Sequence, residues 1–265
     1  MKKNYISRRS FLKVSALAGL SSVALLTGCG SSSSSTAASA SESDWDYISG
    51  KGTLVIGITI YDPMNYYDAD GKLVGFDTEM AQAVCEKLGV EAVFQEIEWD
   101  NKVLELNGKS IDCIWNGMTV TDELGQSIDF STSYSENVQV CVVNESNAAT
   151  YTSIDSINVA GVSIGAEAGS AGESAAQENF PNATLVATSA QRDCFMELKS
   201  GTIDVAVLDR TLADSATGAG TSYTDLTIVP DLELTHEEFA IGLRKGSDVT
   251  EKINAALKEL AADGT

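Results

Sequence analysis

The chain has 265 residues, 43% of them hydrophobic, and sets 17 Lys+Arg against 38 Asp+Glu for a formal net charge of −21. That acidity excludes a nucleic-acid partner, because no basic stripe is present to neutralise phosphates, and an anionic lipid surface would repel it. A single histidine, His236, and the lack of any Cys-x-x-Cys pair among five cysteines argue against a Cys/His zinc centre. Neither metal nor cofactor is expected.

At the N-terminus, Lys2 and Lys3 open a positive region, and Ser7-Arg8-Arg9-Ser10-Phe11-Leu12-Lys13 matches the twin-arginine export pattern. Val14 to Leu26 is mildly apolar and too short to cross a bilayer as a stable helix. Leu26-Thr27-Gly28-Cys29 resembles a bacterial lipoprotein box. Residues 1–28 therefore read as a signal peptide and Cys29 as the lipidated first residue of the mature chain. An ordinary secretory signal with a chance cysteine is the alternative. Five of the 17 basic residues and none of the 38 acidic ones precede Cys29, so the mature chain carries 12 against 38, a net −26. Residues 29–45 include an unbroken Ser31–Ser35 run, have no apolar period, and read as a flexible tether. The expected location is extracytoplasmic, anchored to the outer face of the cell membrane or periplasmic.

Folded sequence is predicted from about Trp45. Thr53 to Thr59 is a short β-rich run. Phe76, Met80, Val84 and Leu88 recur every four residues, with Asp77 near the start and Gly89 just past the end, which predicts a helix over 75–88. Strands are predicted at 90–94 and 111–115, with a short helix at 102–106 between them. Beyond the extended stretch 138–143 the pattern repeats: strands at 162–165, 184–187 and 203–208, helices at 170–179, 191–200 and 210–217. A second extended stretch, 238–243, precedes a last helix with Asp248 near its cap and Glu251 three residues on. Strands alternating with helices imply a largely parallel sheet covered on both faces.

These elements divide into two α/β lobes. Lobe one takes residues 46–140 plus 235–265 and lobe two 141–234, so the chain crosses twice and the two crossing strands form a hinge. The cleft between lobes is the natural ligand site. Cys85, Cys113, Cys141 and Cys194 each sit in an apolar stretch and read as buried thiols, with a Cys113–Cys141 disulfide left open.

Four segments carry a family resemblance. Gly75-Phe76-Asp77-Thr78-Glu79-Met80, with Val84, Cys85 and Leu88 following, is similar to the signature of the family 3 solute-binding proteins, which serve ATP-driven importers of polar amino acids. Asp112 to Thr121, Asp129-Phe130-Ser131-Thr132-Ser133-Tyr134 and Ile203 to Asp209 resemble that family's later segments. The resemblance runs from about Asp46 to the end. It implies an α/β, periplasmic-binding-protein-like (type II) fold whose two lobes, joined by a two-strand hinge, close on a small ligand. It also implies a partner ABC permease, membrane attachment through Cys29 and a monomeric chain.

The resemblance further implies seven ligand-binding residues. Tyr61 covers the ligand and Trp99 faces it from the other side. Asn116, Gly117 and Thr119 offer hydrogen bonds to an α-carboxylate, Ser170 joins them from a lobe-two helix, and Asp209 accepts the α-ammonium. The chemistry is consistent, since a buried ammonium needs an anion and a carboxylate is favoured at a helix N-terminus. Simpler structural roles compete: Trp99 and Trp115 as core, Asp209 as a helix cap.

Two departures stand out. Leu124 occupies the position where the family usually has an arginine for the ligand carboxylate, and no Arg or Lys lies between Leu124 and Ala190. Either an amino acid binds with its carboxylate on backbone N–H groups, Thr119 and Ser170, or the ligand is a cationic amine without a carboxylate. In addition, relatives usually continue past Ala262-Asp263-Gly264-Thr265 into another short helix. Catalysis is not expected. A cyclohexadienyl dehydratase-like enzyme on the same fold is the alternative, but the cleft segments offer carboxylates without a histidine or a nucleophile–base pair.

Overall fold

The computed structural model describes residues 43–265. The twin-arginine segment, the lipoprotein box with Cys29, and the tether up to residue 42 lie outside the described residues.

The described chain opens with a helix that the sequence reading had assigned partly to the tether. Helix α1 (Asp44–Lys51) starts on Ser43, whose hydroxyl accepts the Asp46 N–H, and ends at Gly52, which adopts φ 74°. Strand β1 (Thr53–Ile58) follows. A two-residue ladder of β2 (Tyr66–Tyr67) and β3 (Leu73–Val74) leads into α2 (Phe76–Leu88), which closes on Gly89 in the left-handed region. Then come β4 (Glu91–Glu96), α3 (Lys102–Asn107), β5 (Cys113–Thr119), α4 (Asp122–Ser127), β6 (Ile128–Phe130) and β7 (Ser135–Asn144). The second half runs α5 (Ile154–Ile157), β8 (Ser163–Glu167), α6 (Ala171–Asn179), β9 (Thr184–Thr188), α7 (Asp193–Ser200), β10 (Val205–Asp209) and α8 (Arg210–Ala216). It ends with β11 (Leu226–Arg244) and α9 (Val249–Asp263).

One mixed sheet organises these elements, in the order β4-β1-β5-β11-β7-β10-β8-β9 with β6 added beside β11. Its two ends are parallel, as expected: β1 with β4 and β5, and β8 with β9 and β10. Its centre is antiparallel, which corrects the expectation of a largely parallel sheet. Strands β7 and β11 carry the chain from one parallel block to the other and back, so they run in opposite directions and pair antiparallel. The 19-residue β11 starts well before the predicted 238. Its first half is irregular in register around Glu233 and contains Pro230 and several acids, which hid it from the alternation test.

Apolar clusters cover both faces. Leu54, Ile56, Val84, Trp115, Ile253 and Leu260 pack between the sheet and helices α2 and α9, while Leu106, Ile111, Ile114 and Met118 fill the opposite face. On the other block, Val143, Ile164, Val205 and Val207 lie under α6, and Val140 and Leu208 pack with Phe195 and Leu198 of α7. Trp115 is core, fully buried. The four cysteines among the described residues are buried free thiols, so Cys113 and Cys141 are not joined.

One local expectation changes. Asp248 precedes α9 but does not cap it; its Oδ1 accepts the Trp45 N–H and ties α9 to α1. Arg244, at the end of β11, is buried and reaches into a small ionic knot. Its Nε donates to Asp44 Oδ2 at 2.8 Å, its Nη1 to the Leu106 and Ile111 carbonyls, and its Nη2 to Asp112 Oδ1. Asp112 also accepts from Lys51 Nζ and the Val55 N–H.

Candidate functional site

The C-terminal ends of β5, β8 and β10, the side of β7, and the start of α6 converge on one cavity. Six of the seven residues expected at the site line it: Trp99, Asn116, Gly117, Thr119, Ser170 and Asp209. Lys102, Leu124, Gln139, Glu167 and Gln191 line it too. Its free space is about 30 Å³, room for about two waters.

Tyr61 differs from expectation. It is 2% exposed, is not among the lining residues, and packs in the apolar cluster with Phe239 and Leu212. Its ring lies behind Gly117, where an added Cβ would come 2.7 Å from the ring edge. Burial, with Asp209 and Asp77 nearby, pushes its hydroxyl well above the usual range. Tyr61 is therefore a neighbour of Asp209 and not a cover over the cavity. Gly117 also adopts φ 57°. Gly117→Ala should cost about 1–3 kcal/mol in urea unfolding, because it adds backbone strain to an overpacked contact; an unchanged unfolding midpoint would contradict the tight approach.

Asp209 ends β10 and stands at the N-cap of α8 but makes no cap bond, so the capping role does not apply. Its Oδ1 accepts from Asn137 Nδ2 and Gln139 Nε2, both at 2.6 Å, and its Oδ2 accepts from Gln191 Nε2. Gln191 closes a ring by accepting the Asp209 N–H. The same Asn137 and Gln139 amides also donate to Glu237 Oε2, so two acids share two bridging amides. Burial pushes the Asp209 carboxyl up to about 6; Gln191 and the other amides pull it down and Glu237 pushes it up.

A second acid faces the cavity. Glu167, last in β8, is 2% exposed, and its carboxyl is raised to about 8 by burial first and by the Asp209 charge next. Its Oε1 has no hydrogen-bond partner, and neither has the buried Oε1 of Gln139.

The residues assigned to a carboxylate are mostly engaged elsewhere. The Asn116 amide accepts the Thr59 N–H and hydroxyl and donates to the Thr59 carbonyl and Asn65 Oδ1. The Gly117 N–H donates to Asp77 Oδ2, and the Thr119 hydroxyl to Glu237 Oε2. Ser170 is the exception: its oxygen accepts the Glu173 N–H as the N-cap of α6, which leaves its own proton free to donate. The first N–H groups of α6 have no intrahelical acceptor either. Arg210 turns away, donating to Glu233 at 2.9 Å.

Sequence reasoning missed Lys102, Gln139 and Gln191 as wall residues, and Asn137 and Glu237 behind them. Glu167 is one of the carboxylates that the cleft segments offer, with nothing in the sequence to set it apart. No local motif marks the others; for Asn137, Gln139 and Glu237, pairing of β7 with β10 and β11 is what brings them to Asp209.

Comparison with known proteins agrees with this architecture. The family described as "Bacterial extracellular solute-binding proteins, family 3" matches residues 54–265. The L-cystine-binding protein TcyJ of Escherichia coli (strain K12) is 30% identical over 94% of this chain and 91% of its own. A solved amino acid ABC transporter substrate-binding protein from Streptococcus pneumoniae, bound to L-arginine, is 29% identical with a TM-score of 0.76 over 84% of this chain and 94% of that one. The ancestral amino acid-binding protein AncCDT-1, a precursor of cyclohexadienyl dehydratase, is 31% identical with a TM-score of 0.76 over 84% and 96%. The two solved structures share the type II periplasmic-binding-protein arrangement of the sheet and helices. The chain belongs to the family 3 bacterial extracellular solute-binding proteins.

Proposed function

We propose that this protein captures an amino acid in the cavity around Asp209 and delivers it to an ABC importer. The observation that carries the reading is the set of buried acceptors there: Asp209, with Glu167 Oε1 and Gln139 Oε1 unpartnered beside it. Buried acceptors without donors are costly, and an α-ammonium supplies three N–H groups and a charge at once. The carboxylate would then lie towards Ser170 and the start of α6. Relatives that bind L-cystine and L-arginine support the same class of ligand.

On this reading residues 46–140 with 235–265 form one lobe and 141–234 the other, with β7 and β11 as hinge strands. Closure around the ligand captures it: the ligand touches both lobes, binds the closed form better, and shifts the population towards it. The cavity of about 30 Å³ supports a hinge, since an amino acid enters only when the walls separate. Lipidation at Cys29 would hold the monomer at the outer membrane face and raise its concentration near the permease. No reaction is required of it, and prephenate and arogenate should be recovered unchanged.

Calorimetric titration with the twenty amino acids, L-cystine, and matched amines and betaines tests the reading. At least one L-amino acid should bind, and more tightly than its decarboxylated amine. Binding of amines alone would replace the amino-acid reading with the cationic-amine one.

A further inference from the structure

The cavity is lined by two buried acids, Asp209 and Glu167, and by a single cation, Lys102. Lys102 stands at the start of α3 and is 5% exposed. Its Nζ lies 4.9 Å from the centre of the Trp99 ring. It donates to the Gly169 carbonyl at 2.7 Å and to the Trp99 carbonyl at 3.2 Å. An ammonium has three N–H donors, so one is left over. Among the described residues no carboxylate comes within ion-pair distance of it; Glu167, Asp100, Glu173 and Glu123 act on it from farther away. Burial pulls its pKa down. A buried cation with two carbonyl contacts and no counter-anion is an expensive arrangement.

Its position suggests what completes it. Gly169 directly precedes Ser170, the N-cap of α6, so the Lys102 ammonium stands beside the free Ser170 proton and the first-turn N–H groups of a nine-residue helix. Charge, hydroxyl and backbone donors thus meet at one point of the wall. Leu124 on the same wall is apolar and brings no charge. The donors of Asn116, Gly117 and Thr119 are engaged within the protein. Asp209 and Glu167 line the same cavity and supply its acids. Acids and a cation on one cavity suit a zwitterion and disfavour a bare amine, which would meet an unneutralised ammonium.

We propose that Lys102 is the cation that binds the ligand's carboxylate, exchanging its contact with the Gly169 carbonyl for the carboxylate when the ligand enters. This rests on the amino-acid reading above and assigns the residue that makes the site require a carboxylate.

The test uses the L-amino acid that binds the wild-type protein most tightly and its decarboxylated amine, titrated into the wild type, Lys102→Met and Lys102→Gln. Gln keeps a donor for the Gly169 carbonyl and drops the charge; thermal melts verify that the variants fold. Both variants should lose about 100-fold or more in affinity for the amino acid, the scale of an unpaired buried charge. Affinity for the amine should be unchanged or higher. Equal losses for the two ligands would reduce Lys102 to a strap between α3 and Gly169 and overturn the proposal, as would no loss for either. If only one variant folds, that variant decides on the same criterion. If the wild type binds no amino acid, the functional reading itself fails and takes this inference with it; if it binds one whose amine binds equally well, capture of an amino acid stands, while this inference and the expected preference over the amine fail.

Discussion

Asp209→Asn should bind the amino acid at least about 100-fold more weakly than the wild type, because it leaves the ligand ammonium buried without its counter-anion. The side chain keeps its shape, and the oxygen that accepts from Asn137 and Gln139 can remain. A retained affinity would mean that Glu167 or another group carries the ammonium. The same variant should change how stability depends on pH. The Asp209 carboxyl is raised from its ordinary 3.8 to about 6, chiefly by burial. Between those values the folded protein binds more protons than the unfolded chain, so this group's contribution to stability falls as pH rises through the window. Asp77, raised to about 7, and Glu167, raised to about 8, act with the same sign over wider windows. The wild-type-minus-Asn difference in unfolding free energy should therefore decline from pH 4 to pH 6 and level off above. A cationic ligand favours the ionised acids, so binding near pH 7 should release protons, measurable by titration calorimetry in buffers of different ionisation enthalpy. Proton uptake would contradict the placement of the ammonium.

The second large effect lies far from the cavity. Arg244→Met should destabilise the protein by about 3–5 kcal/mol in urea unfolding and leave the affinity of the folded fraction unchanged. The guanidinium has four acceptors on three separate segments: Asp44 in α1, the Leu106 and Ile111 carbonyls around the end of α3, and Asp112 before β5. Burial opposes ionisation of Asp44, yet hydrogen bonds from Arg244 and Ser247, with Arg244 and Lys109 nearby, hold its carboxyl below the ordinary value. The Asp112 side chain is fully buried and would keep only Lys51 and the Val55 N–H. Two carbonyls and two carboxylate oxygens would lose the guanidinium together. A cost below about 1 kcal/mol would show that Lys51 and water replace the guanidinium.

Much of the fold was legible because its elements carry their own punctuation. Helix α2 announces itself by a four-residue apolar repeat and a terminal Gly89, and α7 by its closing Gly201. Helix α1 buries only Ile48, so its pattern was too thin to separate from the tether. The antiparallel centre was not legible, since pairing of β7 with β11 joins residues about 100 positions apart. The site divides along the same line. Asp209 and Ser170 sit at ends of elements, where position alone suggests a role. Lys102 reads as an ordinary opening residue of a short helix, and no motif sets it apart. The family resemblance implies Tyr61 as the cover of the ligand, but its ring packs against Gly117, which has a positive φ and no Cβ to keep the ring away.

A crystal structure of the protein grown with its tightest-binding amino acid tests the central claim most directly. The account predicts the ligand ammonium within hydrogen-bond distance of Asp209, and the carboxylate against Ser170 and Lys102 at the start of α6. Ligand bound elsewhere, or in this cavity with its carboxylate turned towards Asp209, would contradict it.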